Sequence, residues 1–204
     1  MRSVFLVAAA ALSLSATAAQ AQETSSTNGT SFRGIRIEAN AGGDRFQSQG
    51  NNNNKFGYGG TIGFDGQLGD RIVIGAEGSY WRANNWNENC SAGVQGGSVC
   101  HKSFEEYGAA VRAGVLATPQ ILIFAKGGYV VNEQRKRFDA PAGQTSFYDS
   151  FNTAGYQVGG GVEYSLTGEE SRMPVYANVQ YVYSQYNDHT ARQRVMAGVG
   201  LRFK

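Results

Sequence analysis

Arg194-Val195-Met196-Ala197-Gly198-Val199-Gly200-Leu201-Arg202-Phe203 alternates with a period of two. Val195, Ala197, Val199, Leu201 and Phe203 fall on one parity; Arg194, Met196, Gly198, Gly200 and Arg202 fall on the other. Successive side chains of a strand point to opposite faces, so this stretch has one apolar face and one face of glycine and arginine. A helix would also gather Arg194, Gly198 and Arg202 on one side, but each interior glycine would cost it about 1 kcal/mol. The stretch reads as a strand.

The same alternation recurs upstream. Ile35, Ile37 and Ala39 oppose Arg36, Glu38 and Asn40. Phe56, Tyr58, Ile62 and Phe64 oppose Lys55, Gly57, Gly59, Thr61 and Asp65. Ile72, Ile74, Ala76 and Tyr80 oppose Glu77 and Ser79. Tyr107, Ala109, Val111, Ala113 and Val115 oppose Glu106, Gly108, Ala110, Arg112 and Gly114. Ile121, Ile123, Ala125, Tyr129 and Val131 oppose Lys126 and Gly128, with Leu122 and Phe124 blurring that pattern. Ala154, Tyr156, Val158, Val162 and Tyr164 oppose Gln157, Gly159, Gly161 and Glu163. Val175, Val179, Tyr181 and Tyr183 oppose Asn178, Gln180 and Ser184. Eight strands are expected.

Connection lengths alternate as well. Short ones fall at Gln67 to Asp70, Ala117 to Pro119 and Thr167 to Met173; long polar ones fall at Gly43 to Asn54, Ala83 to Lys102 and Glu133 to Ser150, with a shorter one at Asn187-Asp188. Tight turns at one end and long loops at the other are the pattern of an outer-membrane barrel. In hydrocarbon every unpaired backbone group costs several kcal/mol, so such a sheet must close. A water-soluble barrel would turn its apolar parity inward and need a bulky core there. Here the opposite parity carries glycine, hydroxyls and charges of both signs, so the apolar parity is expected to face lipid. The tyrosines near strand ends (Tyr80, Tyr107, Tyr129, Tyr164, Tyr181, Tyr183) suit an interfacial girdle. The fold class is an all-β, eight-stranded antiparallel transmembrane barrel.

Composition and the amino terminus agree. The 204 residues include 28 Gly, 11 Tyr and 11 Phe but 3 Pro, with a formal charge of +2. No basic stripe exists to neutralise phosphates, so no nucleic-acid partner is expected. Met1-Arg2, the apolar run Val4 to Leu14, and Ala19-Gln20-Ala21 have the form of a secretory signal peptide with cleavage after Ala21. The apolar run is shorter than the roughly 20 residues of a spanning helix. The organisation reads as signal peptide 1–21, a flexible segment 22–31 and a barrel domain 32–204. Cys90 and Cys100 form an even pair in an exported chain and read as a disulfide, worth the lower end of about 2–4 kcal/mol for so short a loop. Zinc at Cys90, Cys100 and His101 lacks a fourth ligand at ordinary spacing, so neither metal nor cofactor is expected.

Gly75 to Trp81, Val111-Arg112-Ala113-Gly114, Phe124 to Tyr129 and Gly159 to Tyr164 resemble strands of small OmpA-like and opacity-type barrels. The likeness runs over nearly all of residues 32–204. In that family an aromatic residue closing the last strand is read by the barrel-assembly machinery, and here Phe203 precedes Lys204. The resemblance implies that machinery as a partner, along with outer-membrane lipid.

The inward parity supplies Arg36, Arg112, Lys126, Arg194 and Arg202 against Glu38, Asp65, Glu77, Glu106 and Glu163. An eight-stranded barrel is just wide enough for side chains to fill. Unpaired buried charge is expensive, so a paired network is expected around Arg36, Glu38, Glu77, Arg112, Lys126, Glu163 and Arg194. That reading makes the lumen a structural plug; the alternative is a narrow porin-like channel. A lipid A-modifying enzyme ranks last, since His101, Ser103 and Glu105 are its only triad-like spacing and His101 reads as a surface histidine in a loop. The loops Asp44 to Asn54, Asn84 to Lys102 and Arg135 to Ser150 could carry a host or surface ligand. Arg135-Lys136-Arg137 reads as a basic cluster facing lipopolysaccharide phosphates.

Overall fold

In the computed structural model, residues 32–203 are described, apart from 49, 85, 94, 95, 144 and 168–170. The expected signal peptide, the segment 22–31 and Lys204 lie outside the described residues. Among the described residues nine strands are formed: β1 (Gly34–Ser48), β2 (Asn51–Leu68), β3 (Ile72–Ala83), β4 (Asn87–Ala92), β5 (Ser98–Thr118), β6 (Ile121–Asp139), β7 (Phe147–Ser165), β8 (Val175–Tyr186) and β9 (Ala191–Phe203). All pairings are antiparallel. β1 lies between β2 and β9, and β3 pairs with β5 from Ile72↔Val115 to Trp81↔Glu106, which closes a ring of the eight strands other than β4.

The alternation that defined β9 is visible in its burial. Arg194, Met196, Gly198, Gly200 and Arg202 are buried, while Val195, Ala197, Val199, Leu201 and Phe203 are exposed. The other wall strands follow their own parity, so Ile37, Ile62, Phe64, Ile74, Val111, Val158, Val179 and Val199 stand outside the ring. Such an apolar exterior has no place in water; it matches a hydrocarbon surround. Rings border the belt: Tyr80 and Tyr107 are cross-strand partners with centroids 5.4 Å apart.

Two expectations need correction. The long polar segments are not loops for most of their length. β1 and β2 stay paired to Ser48↔Asn51, β6 and β7 to Phe138↔Phe147, and β4 forms a hairpin on β5 through Cys90↔Cys100. Polar residues lacking an apolar face still make ladders where both faces meet water or other strands, a case that hydropathy alternation cannot report. β4–β7 therefore rise above the wall as a four-stranded sheet. A register shift between Ser103 and Glu106 bulges β5 at its base and swaps its parity, so His101 and Ser103 point inward above the bulge and Glu106 below it.

The interior is also less polar than expected. Phe32, Val73, Leu116, Leu122 and Phe124 cluster at the end that carries Phe203, Trp81, Val182 and Met196 form a second cluster, and Phe46, Val130 and Tyr186 a third beneath the four-stranded sheet. Leu122 and Phe124, which blurred the β6 pattern, are inward residues of the first of these. A narrow lumen must be filled, and charged groups alone cannot fill it at protein density.

Candidate functional site

Two layers of ion pairs cross the lumen. In the lower one Asp65 is the hub. Arg202 Nη2 donates to Asp65 Oδ2 at 2.8 Å, while Arg36 Nε (3.3 Å) and Arg112 Nε (3.0 Å) approach at ion-pair distance without hydrogen-bond alignment. Glu163 takes Arg112 Nη2 at 3.0 Å and Arg202 Nη2 at 2.8 Å. Glu77 is held by Arg36 and by Lys126 Nζ at 2.7 Å. Glu38 lies 3.4 Å from Arg36 Nη1 and accepts from Tyr176 at 3.0 Å and Gln180 at 3.2 Å. Every carboxylate in this layer has a cation, and the cations Arg36, Arg112, Lys126 and Arg202 match Glu38, Asp65, Glu77 and Glu163 in number.

Local sequence makes room for these groups. A Cβ on Gly75 would collide with the Asp65 carboxylate, and one on Gly200 with the Tyr176 ring. Guanidinium faces are stacked as well as paired: Arg112 sits 4.7 Å over Phe124, and Arg202 lies 4.9 Å over Tyr176 and 5.3 Å over Phe32. Such stacking suits arginine, which is weakly hydrated and planar.

The upper layer joins Asp44, Arg192, Arg194 and Glu106. Asp44 receives Arg192 Nε at 3.0 Å, Trp81 Nε1 at 2.7 Å and Asn87 Nδ2 at 3.1 Å. Arg194 meets Glu106 at 2.6 Å and donates to Ser184 at 2.9 Å, and Tyr186 donates to Glu106. Between the layers lies a cavity of about 10 Å³, lined among others by Asn40, Thr61, Ser79, Lys126, Gln157 and Arg194, with room for a single water.

Of the expected network residues, Arg36, Glu38, Glu77, Arg112, Lys126 and Glu163 lie together in the lower layer, and Arg194 lies in the upper one. The sequence reading left out the hub role of Asp65 and missed Asp44, Arg192, Tyr176 and Gln180. Asp44 and Arg192 were findable: each continues the inward parity of its strand, two steps past Gly42 and two before Arg194.

Above these layers, His101 is not the surface residue expected; it is 1% exposed, because the bulge in β5 turns it inward. Its Nδ1 is 2.7 Å from Ser48 Oγ and its Nε2 is 3.5 Å from Asp188, between the rings of Phe46 and Phe151. It ties the β4–β7 sheet to the β1–β2 and β8–β9 turns. Ser103 instead donates to Asn132 at 2.9 Å, and Glu105 meets Arg82 at 3.9 Å, so the sequence-spaced group is dispersed.

Burial holds His101 below its ordinary range; nearby Asp188 opposes this and Lys136 reinforces it. The unfolded chain therefore binds the proton first as pH falls. The stability His101 contributes is full above about pH 6.5 and is lost as pH drops through its lower folded value. Amide exchange in residues 98–103, corrected for intrinsic rates, is expected to accelerate as pH falls below about 6.5, and His101→Gln to remove that dependence.

Cys90 and Cys100 are joined in a disulfide, which consumes both sulfurs beside Glu88. Arg135, Lys136 and Arg137 do not share a face. Arg135 stacks 5.8 Å over Phe104 and Arg137 pairs with Asp139 at 3.1 Å, whereas Lys136 lies 5.2 Å over Phe151 on the inward parity. The alternation of β6 splits what a loop would have clustered.

Residues 6–203 match the outer membrane protein β-barrel domain family. Among solved structures, the attachment invasion locus protein Ail of Yersinia pestis, in complex with the heparin analogue sucrose octasulfate, is similar. It shares 13% identity at a TM-score of 0.54, over 84% of this chain and 99% of that one. Neisserial surface protein A is similar at 16% identity and a TM-score of 0.50, over 83% and 97%. At such identities the likeness is one of fold. No curated protein sequence matches significantly. With its closed eight-stranded wall, apolar exterior and paired interior, this chain belongs to the outer membrane protein β-barrel domain family and resides in the bacterial outer membrane.

Proposed function

We propose that this barrel has a structural or surface-interaction role, with its lumen plugged by the two ion-pair layers and no catalytic activity. The observation that carries the reading is the Asp65 layer: its charges balance, its side chains are buried, and its arginines are held on both edge and face. An ion crossing it would have to break several buried pairs at once. Refolded protein in planar bilayers is expected to give no stable conducting steps. Such steps would overturn the plug in favour of the alternative, a narrow porin-like channel threading the cavity between the layers.

The outer sheet β4–β7 and its turns are the surface such a protein presents, and loops on a rigid scaffold commonly carry binding. The Ail complex with a heparin analogue makes a host or surface ligand at this end a reasonable expectation. Lipopolysaccharide is a second partner we propose, through Arg135 and Arg137 outside and Lys136 at the rim. Replacing all three with Gln is expected to lower lipopolysaccharide binding, and unchanged binding rejects the contact. Phe203, last on the outward face of β9, is the residue we propose for the barrel-assembly machinery.

A further inference from the structure

The disulfide joins directly opposed residues of β4 and β5, but its two sulfurs sit in unlike surroundings. Cys90 is exposed, whereas Cys100 is 2% exposed. Arg137, the β6 partner of Cys100, donates from Nη2 to Cys100 Sγ at 3.8 Å. Its Nε donates to Asp139 at 3.1 Å, a pair that orients the guanidinium and leaves Nη2 on the sulfur. Glu88, two residues before Cys90 on β4, has a carboxylate oxygen within 4.8 Å of both sulfurs.

The β4–β5 hairpin has other means of staying in place. The two strands pair from Asn87↔Ser103 to Ala92↔Ser98. Asn51 Nδ2 donates to Cys90 O at 3.2 Å and Asn53 Nδ2 to Glu88 O at 2.8 Å, which ties β4 to β2. From β4, Asn89 Nδ2 donates to Phe46 O at 3.2 Å and Asn87 Nδ2 to Asp44 Oδ1 at 3.1 Å, which ties it to β1. A cross-link between residues only 10 apart removes little entropy from the unfolded chain. Opening it leaves the hairpin held, so the bond is available for chemistry.

We propose that the Cys90–Cys100 disulfide is a thiol-exchange site that takes up a small external thiol on Cys90. Exchange depends on access to the attacked sulfur and on how well the departing sulfur carries charge, and exposed disulfides are the labile ones. Both terms favour one direction here. The thiol gives its proton to solvent and attacks Cys90 Sγ as a thiolate. A new sulfur–sulfur bond forms to Cys90, the Cys90–Cys100 bond breaks, and its electron pair leaves on Cys100 Sγ. Arg137 Nη2 already meets that sulfur, and a neighbouring cation favours the thiolate. The opposite attack must reach a buried sulfur, and it puts the guanidinium on the attacked side instead of the departing one. No oxidant is consumed, since one disulfide replaces another, and attack by Cys100 on the mixed disulfide reverses the attachment. The site goes beyond the surface-interaction reading and is independent of the plug.

The oxidised full chain, refolded in micelles, tests this with free cysteine as the thiol, an excess of N-ethylmaleimide as the quench, and mass spectrometry of the digest. At early times cysteine is expected on Cys90 and maleimide on Cys100, with the amide protection of β4 retained. Arg137→Gln should slow the exchange roughly threefold, a difference that shrinks at high salt because the guanidinium is part-exposed. Asp139→Asn breaks the same ion pair but keeps the cation, and should leave the rate no slower. Glu88→Gln removes an anion that repels the entering thiolate, and should raise the rate about twofold. No adduct, an adduct chiefly on Cys100, or an Arg137→Gln rate equal to wild type or to Asp139→Asn would overturn the proposal. Loss of β4 protection on exchange would overturn it too, by making the disulfide a required staple.

Discussion

Asp65→Asn is expected to lower the unfolding free energy by about 3–5 kcal/mol, the largest loss from any single polar substitution in the lumen. Asn keeps the volume and removes only the charge, so packing against Gly75 and Gly34 is unaltered. Three guanidinium groups, those of Arg36, Arg112 and Arg202, would then share the remaining carboxylates, leaving the layer one positive charge in excess. Neither lipid nor water can relieve it, since all three arginines are buried. Urea unfolding in lipid vesicles, followed by the fluorescence of Trp81 and Trp86, measures the loss. Arg82→Gln breaks a half-exposed pair with Glu105 at 3.9 Å and serves as the comparison, at less than about 1 kcal/mol. If the two variants cost the same, the Asp65 layer is not energetically coupled and the case for a tight plug fails with it.

The wall was legible because lipid outside and polar groups inside impose a strict two-residue period, and β9 carries it through Arg194 to Phe203 without a fault. Legibility ended where that contrast ended. Above the membrane both faces of a strand can be polar, so the paired residues Arg45 to Ser48 and Asn51 to Asn54 looked like loop. Asp44 and Arg192 were lost with them, although both keep the parity of their strands. His101 was misread for a different reason. Its direction depends on the bulge between Ser103 and Glu106, and a bulge is a property of pairing that a single strand's sequence does not announce. Trp81, on the inward parity beside the outward Tyr80, was noted only as the end of the Gly75 to Trp81 stretch and given no role; its ring fills the lumen and donates to Asp44. Which charges share the inward face could be read from parity. Which carboxylate is the hub could not, because that depends on register across β1, β2, β5 and β9.

Val111→Arg is expected to destabilise the folded protein by about 2–4 kcal/mol in vesicles, the cost of a cation on the lipid face near mid-membrane. Val111 is 66% exposed, lies between Ala76 and Gly127 of the flanking strands, and sits midway between Tyr107 and Val115 on β5. By contact alone the change removes little, and on a water-facing strand it would fall within about 0.5 kcal/mol of neutral. Asn152→Arg, exposed on β7 above the belt, is the matching change in water and should show that small value. The next residue inverts the rule. Arg112 needs its charge, because Asp65 and Glu163 would be left short of a cation by Arg112→Val. Exchanging the pair, Val111→Arg with Arg112→Val, keeps the composition of β5 and should cost more than either change alone. Each chain then faces the wrong solvent, and a small loss from the exchange would mean that β5 had slipped register by one residue.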